Sequence, residues 1–301
     1  MLKKVGFVGV GTMGEPMAAN LLKAGYALLV TDMNPAPVQR LVQAGAQEAA
    51  SVAEMAGQVE VLLTSLPSGA ILEQVILGEQ GVLAGGQEGL VVMDTSTVAP
   101  LTSQRLAAAL EEKGIEMLET PVSGGQSGAI AGTLAIMVGG SRDVYEQVLP
   151  ILEKLGKNIT YVGDHGSALT IKLCNNLIIG AVMVAASEAF TMAAKAGIEP
   201  GLVHEILSNA TARGWILQEY MDKKVLAGDL EPGFKLSLER KDVGLALDFG
   251  KALGVPMFMS SLVHQLYTQA YGLGKGDLDC FAISELYTEA TGVSLVRKDE
   301  K

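Results

Sequence analysis

The feature that most constrains this chain is a glycine-rich junction near its N-terminus. The segment Val5–Gly25 reads VGFVGVGTMGEPMAANLLKAG and passes from an apolar run into an amphipathic stretch. At such a strand-to-helix junction Gly9 permits a tight turn, Gly11 lets a pyrophosphate approach the backbone, and Gly14 lets the helix pack closely on the strand. The free N–H groups at the helix start then face the anion. The pattern predicts a dinucleotide-binding loop.

An acidic residue follows this loop at the expected distance. Asp32 ends the second apolar run, about 20 residues further on, where a carboxylate accepts hydrogen bonds from an adenosine ribose. It would repel a ribose 2′-phosphate, and the next residues, Met33 and Asn34, supply no arginine. We therefore expect NAD as the cofactor, with NADP possible. The alternative is that Asp32 only caps the turn at Asn34–Pro35.

The first half of the chain alternates short apolar runs with amphipathic stretches. Continuous Val, Leu and Ile runs are typical of strands buried on both faces, and the alternation is typical of a mostly parallel, doubly wound sheet. The predicted strands are Val5–Val10, Ala27–Thr31, Val59–Ser65, Leu90–Asp94, Ile115–Glu119 and Leu134–Val138. The predicted helices are Met13–Ala24, Ala36–Ala44, Ser51–Gly57, Ala70–Leu77, Pro100–Lys113 and Arg142–Leu155. An N-terminal Rossmann dinucleotide-binding domain is therefore expected over residues 1–163.

The sequence pattern changes near Gly163. From Ser167 to Ala196 the chain has no proline and consists mostly of Ala, Leu, Ile, Val and Met, after which Gly197 occupies a C-cap position and Pro200 starts another helix. A helix of this length, roughly 45 Å, is expected to run between two domains. Helical periods then continue, with breaks at 228–233 and 254–256. The fold class predicted is α/β, with a C-terminal all-α substrate and dimerisation domain at residues 164–301 joined by this long interdomain helix.

Composition argues against several classes of function. The net charge of −11 is unsuited to a phosphate-binding surface, so no nucleic-acid partner is expected. Two distant cysteines and three histidines without ligand spacing predict neither a disulfide framework nor a metal site. The apolar run Leu177–Ala186 is too short to span a bilayer, and no secretory signal precedes the first strand. We expect a cytoplasmic protein with no membrane partner.

Five further segments carry specific patterns. They read DTSTVAP from Asp94, TPVSGGQSGA from Thr120, GTLAIMVGG from Gly132, GSALTIKLCNN from Gly166 and FKLSLERKD from Phe234. With the glycine loop, and in this order and spacing, the chain resembles the β-hydroxyacid dehydrogenase family over about residues 4 to 290. The resemblance implies an enzyme that transfers a hydride between a nicotinamide and a small β-hydroxyacid or its semialdehyde. One departure is Ala168, where members usually have glycine; its methyl group is expected to tighten the helix start.

The resemblance implies that Lys172 is the catalytic acid–base. An alcohol that gives up a hydride must also lose its hydroxyl proton, and a lysine accepts that proton only when burial lowers its pKa towards neutrality. Without the motif, Lys172 would be read as a surface lysine. Asn176, four residues on and on the same helix face, is implied to orient the substrate.

A glycine turn is implied to hold the substrate carboxylate. Ser123, Gly124 and Gly125 offer backbone N–H groups and one hydroxyl, although a merely tight turn has the same sequence. Besides the three loop glycines and Asp32, the cofactor contacts implied are Thr12, Met13, Met33, Leu66, Pro67, Thr97 and Lys241. A solvated helix face competes with a cofactor role for Lys241, and a core position competes for Met13.

The substrate stays open at this stage. Arg213 can clamp a carboxylate or sulfonate, and Trp215 and Tyr220 can line a pocket, but the two aromatic residues can equally pack a helix pair. Substrates of the 3-hydroxyisobutyrate or tartronate semialdehyde type are expected, with glyoxylate, succinic semialdehyde or serine as alternatives. A homodimer or homotetramer is expected. A non-catalytic NAD-binding sensor and a 6-phosphogluconate dehydrogenase-like enzyme are the competing hypotheses.

Overall fold

The computed structural model describes residues 4–297 and separates the chain into two compact units, Met1–Lys172 and Leu173–Lys301. Within the described residues the first unit has nine strands: β1 Lys4–Val8, β2 Ala27–Thr31, β3 Gln47–Glu48, β4 Val61–Thr64, β5 Val91–Asp94, β6 Glu116–Glu119, β7 Val122–Ser123, β8 Leu134–Gly140 and β9 Gly156–Gly163. Its helices are α1 Gly14–Lys23, α2 Pro35–Gln43, α3 Val52–Ala56, α4 Gly69–Leu77, α5 Val82–Gly85, α6 Pro100–Glu111, α7 Gly125–Ala131 and α8 Arg142–Leu152.

The strands form one sheet in the order β3-β2-β1-β4-β5-β6-β8-β7, with β9 paired to β8. The pairs from β3 to β6 are parallel, and β1 lies between β2 and β4, so the chain order reverses at β1. Ligands of open α/β sheets bind at the carboxyl ends of the strands beside such a reversal. The predicted doubly wound sheet is confirmed. It departs from purely parallel pairing at β8, which runs antiparallel to β6 and β7.

Both faces of the sheet are buried. Along β4, Val61 and Leu63 belong to one apolar cluster with α1, α2 and α8, while Leu62 belongs to a second cluster with α3, α4 and α6. Side chains alternate between the faces of a strand, so a strand covered on both sides needs an unbroken apolar run. This explains why all six predicted strands occur. Strands β3, β7 and β9 were not predicted; β3, for example, consists of two exposed polar residues.

The long helix α9, Ser167–Lys195, has 29 residues and ends one residue earlier than predicted. Gly197 follows with a φ of 86°, which provides the expected left-handed residue at the helix end. Among the described helices, α9 alone is long and apolar enough to cross a membrane by length and composition, a test that the core helix of a soluble protein also passes. In the 18-residue window that passes this test, 39% is buried inside the protein.

Beyond α9 the chain is helical, as predicted. The elements are α10 Pro200–Leu207, a π-helix at Ile216–Leu226, α11 Leu236–Ala252, α12 Phe258–Ala270, a π-helical turn at Tyr271–Lys275, a 3₁₀ turn at Cys280–Ser284 and α13 Glu285–Thr291. Phe190, Tyr267 and Phe281 are buried in the core of this unit. The predicted breaks at 228–233 and 254–256 fall on either side of α11. Among the described residues of this second unit, the one β-type pairing is an isolated antiparallel bridge between Lys235 and Asp279.

A buried carboxylate stands at the carboxyl end of β5. Oδ1 of Asp94 accepts hydrogen bonds from the Thr64 hydroxyl (2.6 Å), the Ser96 hydroxyl (2.6 Å) and the Ser96 backbone N–H (3.1 Å). Burial raises the pKa of Asp94 to about 6; these hydrogen bonds oppose the rise, and the charge of Glu119 adds to it. The folded chain therefore binds this proton more tightly than the unfolded chain does.

This shift predicts a measurable pH dependence of stability. The charged carboxylate destabilises the fold fully above about pH 6, and this penalty falls progressively as the pH drops from about 6 towards the ordinary carboxyl pKa of 3.8. Between pH 7.5 and pH 5 we expect the free energy of unfolding of the wild type to rise by about 1 kcal/mol relative to Asp94→Asn. Urea denaturation at both pH values measures this, with Glu116→Gln on the exposed start of β6 as the control. If the difference in unfolding free energy between the wild type and Asp94→Asn does not change with pH, the raised pKa of Asp94 is wrong.

Candidate active site

The three glycines of the first loop meet different surroundings. A Cβ on Gly9, whose φ is 86°, would collide with the carbonyl oxygen of Ser65, and one on Gly14 would collide with the carbonyl oxygen of Gly9. A Cβ on Gly11 would meet no atom within 4 Å. Packing therefore demands glycine at two positions, while the third leaves an open, exposed backbone. This is the surface that a pyrophosphate needs for close approach.

The start of α1 is free to bind an anion. Its N-cap residue is Met13, and no side chain among residues 4–297 caps this end, so N–H groups of the first turn remain available. Thr12 is exposed, and Met13 packs partly on the apolar core. The one acid of the first turn, Glu15, is paired with Arg40 through two contacts of 2.6 and 2.7 Å. The residues present thus fit a dinucleotide pyrophosphate.

Asp32 ties the two loops of this region together. Its Oδ2 accepts the N–H of Val10 at 2.8 Å, and its Oδ1 accepts the N–H of Asn34 at 2.7 Å. Asn34 in turn caps α2 by accepting the N–H of Ala36. Asp32 therefore does cap the turn at Asn34. The same carboxylate also contacts the glycine loop through Val10. Met33 is 100% exposed, so nothing in the described chain covers it.

The next two strand ends are joined by a serine. The Ser96 hydroxyl accepts the N–H of Leu66 at 2.8 Å while it donates to Asp94. This bond fixes the turn after β4, where Leu66 is half-buried and Pro67 exposed, against the turn after β5, where Thr97 follows. Both predicted cofactor segments thus lie at the carboxyl ends of neighbouring strands. Sequence reasoning gave Asp94 no role, although it ends a predicted strand and begins the segment DTSTVAP.

The glycine turn after β7 adopts a conformation that only glycine takes easily. Gly124 has a φ of 132° and Gly125 a φ of 63°, and both are exposed. Gly124 is the N-cap residue of α7, and no side chain of the described chain caps this helix. The turn is structural, as the simpler interpretation holds, and its backbone also faces solvent beside the half-buried Ser123.

Lys172 is 9% exposed and lies in the second turn of α9. This burial does not fit a lysine whose side chain extends into solvent from a surface helix. The start of α9 is capped by Glu119 from the end of β6, whose carboxylate accepts the N–H groups of Gly166 and Leu169. The sequence placed Glu119 only at the end of a predicted strand, before Thr120 and Pro121, and gave it no role.

In the second unit, Asn176 belongs to a polar chain. Its Nδ2 donates to Oδ2 of Asp242 at 2.5 Å, and its Oδ1 accepts from the amide of Asn175 at 2.9 Å. The other oxygen of Asp242 contacts Nζ of Lys241 at 2.7 Å. Asn176 and Asp242 are both buried, whereas the Lys241 side chain is partly exposed. Lys241 therefore does not lie on a wholly solvated helix face. The pairing of Asn176 with Asp242 was not predicted.

The candidate specificity residues are held by packing. Trp215 is 55% exposed and stacks on Tyr220 with ring centroids 5.1 Å apart. The Tyr220 hydroxyl donates to Oδ2 of Asp279 at 2.7 Å, and burial raises the pKa of Tyr220, with the neighbouring Cys280 and Asp279 adding to the rise. Arg213 is exposed, and its guanidinium has no polar partner among residues 4–297. The structure thus supports the packing interpretation of the aromatic pair.

Comparison with known families matches nearly the whole chain. Residues 4–163 match the NAD-binding domain of 6-phosphogluconate dehydrogenase. Residues 166–287 match a family described as NAD-binding of NADP-dependent 3-hydroxyisobutyrate dehydrogenase.

Individual relatives give the same result. The chain is 39% identical to the 2-(hydroxymethyl)glutarate dehydrogenase of Eubacterium barkeri, over 97% of each protein. It is 36% identical to the 2-hydroxy-3-oxopropionate reductase of Escherichia coli, over 93% of this chain and 95% of the reductase. The solved structure of Mycobacterium tuberculosis 3-hydroxyisobutyrate dehydrogenase with L-serine superposes with a TM-score of 0.86 at 30% identity, covering 95% of this chain and 99% of that one.

Such similarity along both units confirms the resemblance seen in the sequence motifs, including the expected cofactor class, NAD with NADP possible. The chain therefore belongs to the β-hydroxyacid dehydrogenase family, whose members are NAD(P)-dependent oxidoreductases that act on CH–OH groups.

Proposed function

We propose that this enzyme transfers a hydride between NAD and a small β-hydroxyacid or its semialdehyde, with Lys172 as the general acid–base. The observation that supports this most is the burial of Lys172, at 9% exposure, in a helix whose first turn is tied to the sheet by Glu119. A proton-transfer group must be withheld from bulk water, so that it exchanges its proton with the substrate.

The bound nicotinamide supplies the hydride acceptor for oxidation and the donor for reduction. In oxidation, Nζ of Lys172 takes the hydroxyl proton as the C–H bond breaks, and in reduction it returns that proton. Asn176, its amide fixed by Asp242, orients the hydroxyl and carboxylate. Ser123 and the N–H groups of Gly124 and Gly125 hold the carboxylate without a full opposing charge.

The cofactor-binding residues proposed are those of the strand edge and of α11. They are Gly9, Gly11, Thr12, Met13, Gly14, Asp32, Met33, Leu66, Pro67, Thr97 and Lys241. Residues 1–163 form the cofactor domain and residues 164–301 the substrate and dimerisation domain in this proposal, and the enzyme works in the cytoplasm.

The substrate is a small carboxylate of the 3-hydroxyisobutyrate or tartronate semialdehyde type. The relatives' names support a short acid that carries a hydroxymethyl or aldehyde group: one is a 3-hydroxyisobutyrate dehydrogenase and others are a 2-hydroxy-3-oxopropionate reductase and an NAD-dependent L-serine dehydrogenase. Arg213 remains a candidate clamp because its exposed guanidinium has no partner in the described chain, and Trp215 with Tyr220 would form the adjoining wall. Glyoxylate and succinic semialdehyde are the alternatives.

Replacing the lysine tests the mechanism directly. We expect Lys172→Ala to lower kcat by roughly 100-fold or more, because general acid–base catalysis contributes that much. Initial rates are measured with 3-hydroxyisobutyrate, 2-(hydroxymethyl)glutarate and L-serine with NAD or NADP, and with succinic semialdehyde and glyoxylate with NADH. Lys195→Ala, an exposed lysine on the same helix, is the matched control.

Full turnover by Lys172→Ala would defeat the mechanism. A wild-type chain that binds NAD and turns over none of these compounds, nor tartronate semialdehyde, would support the sensor hypothesis instead. In the same assay, an unchanged KM for the preferred acid in Arg213→Ala would remove Arg213 from the substrate site.

Asp32 offers a test of cofactor preference. Asp32→Asn keeps an oxygen for the turn while removing the charge, so we expect the preference for NADH over NADPH to fall roughly 10-fold, the loss of about one charge-assisted interaction. The ratio of kcat/KM values for the two cofactors measures it. Asp32→Ala, which also removes the bonds to Val10 and Asn34, controls for the loop. An unchanged ratio in both variants would leave Asp32 as a turn cap only.

A homodimer or homotetramer completes the proposal. Around the start of α12 the second unit exposes large apolar side chains, namely Leu253, Val255, Phe258, Met259 and Leu262, and Phe258 is 86% exposed. Contiguous exposed apolar surface marks protein interfaces. Light scattering is expected to give a multiple of the chain mass, and Phe258→Glu with Met259→Glu is expected to lower it. A monomeric wild type would refute the assembly and leave the reaction untouched.

A further inference from the structure

The carboxylate of Glu119 closes the N-terminal end of the catalytic helix. Glu119 is the last residue of β6 and is buried. Its Oε1 accepts the N–H of Gly166 at 2.6 Å, and its Oε2 accepts the N–H of Leu169 at 3.4 Å. These donors belong to the end of a helix where N–H groups lack partners within the helix, and a negative charge there is favourable.

Two donors three residues apart fix more than one donor would. A single hydrogen bond allows the helix end to pivot, whereas contacts at Gly166 and Leu169 set both its height and its rotation relative to β6. Lys172 follows Leu169 by three residues, so its Cα lies about 4.5 Å further along the same helix. A shift of the first turn is therefore transmitted to Lys172 almost unchanged.

The space around this carboxylate is closely filled. A Cβ on Gly139 of β8 would lie 2.9 Å from Oε2 of Glu119 and 3.2 Å from the Cβ of Ala168. Ala168 is fully buried, and its methyl group packs towards Gly139 at the start of α9. A side chain at position 139 would therefore collide with the carboxylate and press on Ala168.

Independent contacts hold the same turn. Nε2 of Gln104 in α6 donates to the carbonyl of His165 at 2.9 Å, and the Thr170 hydroxyl donates to the carbonyl of Gly166 at 2.6 Å. Gly166 has a φ of 96°, and a Cβ there would lie 2.6 Å from the Gln104 amide nitrogen. Because these contacts remain when Glu119 is replaced, the helix is expected to survive the replacement with a less exact placement.

The same strand edge also places the cofactor loops. Glu119 is the register partner of Asp94 on β5, and Asp94 holds Ser96, which holds Leu66. The ends of two adjacent strands, β5 and β6, therefore position both the helix that carries Lys172 and the turns at Leu66 and Thr97. Reacting groups that must meet within a fraction of an ångström require such a common reference.

We propose that Glu119 is a positioning residue for the reaction: by holding Gly166 and Leu169 it sets where the Lys172 amine stands relative to the strand-edge loops. This inference rests on the proposed role of Lys172. Glu119 itself exchanges no proton with the substrate.

The test compares Glu119→Gln with Glu116→Gln, an exposed glutamate on the same strand. Oxidation of 3-hydroxyisobutyrate and 2-(hydroxymethyl)glutarate is followed, NAD affinity is measured by calorimetry, and amide hydrogen exchange is measured in peptides spanning 164–172. We expect Glu119→Gln to lower kcat roughly 10- to 100-fold with NAD affinity unchanged, as for a misplacement of about 1 Å, and to speed exchange in the first turn. Glu116→Gln is expected to match the wild type.

Faster exchange in Glu119→Gln with wild-type kcat would overturn the proposal, because the carboxylate would then be purely structural. Unchanged exchange would overturn it as well. If Glu119→Gln does not fold, Glu119→Asp retains the charge with a shorter reach, and an intermediate fall in kcat is expected; wild-type kcat with that variant counts against the proposal. Full activity of Lys172→Ala would instead refute the proposed function, an outcome that does not involve Glu119.

Discussion

Two buried carboxylates, Asp94 and Glu119, stand at the carboxyl ends of β5 and β6 and accept hydrogen bonds that hold together this edge of the sheet in the first unit. A buried carboxylate is costly unless donors surround it, and here every donor comes from a segment that must be placed. Asp94 accepts hydrogen bonds from Thr64 and Ser96, whereas Glu119 accepts them from the backbone N–H groups of Gly166 and Leu169. These hydrogen bonds offset the desolvation of the two acids. They also fix the turns after β4 and β5 and the start of α9. The raised pKa of Asp94 is the remaining trace of that desolvation.

The second unit uses the same device. Asp279 is fully buried, and its Oδ2 accepts the Tyr220 hydroxyl and the N–H groups of Gly233 and Phe234, while its Oδ1 accepts the N–H of Phe281. One carboxylate thus joins the π-helix, the loop before α11 and the 3₁₀ turn. The stacking of Trp215 on Tyr220 follows from this tether. An aromatic pair that looks like a pocket lining in the sequence is therefore first a product of packing.

The sequence predicted the elements whose residues carry their own periodic pattern. Helix α9 was placed to within one residue because it is long, apolar and followed by Gly197. Strands β3 and β7 have two residues each, which is too short for any period, so only their neighbours make them strands. For the site, motifs indicated Lys172 and Asn176, but the partners Glu119 and Asp242 lie 47 to 66 residues from the groups they bind. No local pattern records such a pairing.

In the proposed site, recognition through the backbone would let one scaffold accept different substrates. The groups proposed to bind anions in the first unit are backbone N–H groups, at the start of α1 and at the turn of Gly124 and Gly125, and no side chain of the described residues caps either position. Backbone donors stay the same when side chains change, so they suit the groups common to the proposed substrates and cofactor, a carboxylate and a pyrophosphate. Lys172, the proposed proton-transfer group, is held separately, by α9. In this proposal, discrimination between acids comes from side chains outside these elements, such as those of the segment from Arg213 to Tyr220, which the hydrogen bond from Tyr220 to Asp279 anchors independently of any substrate.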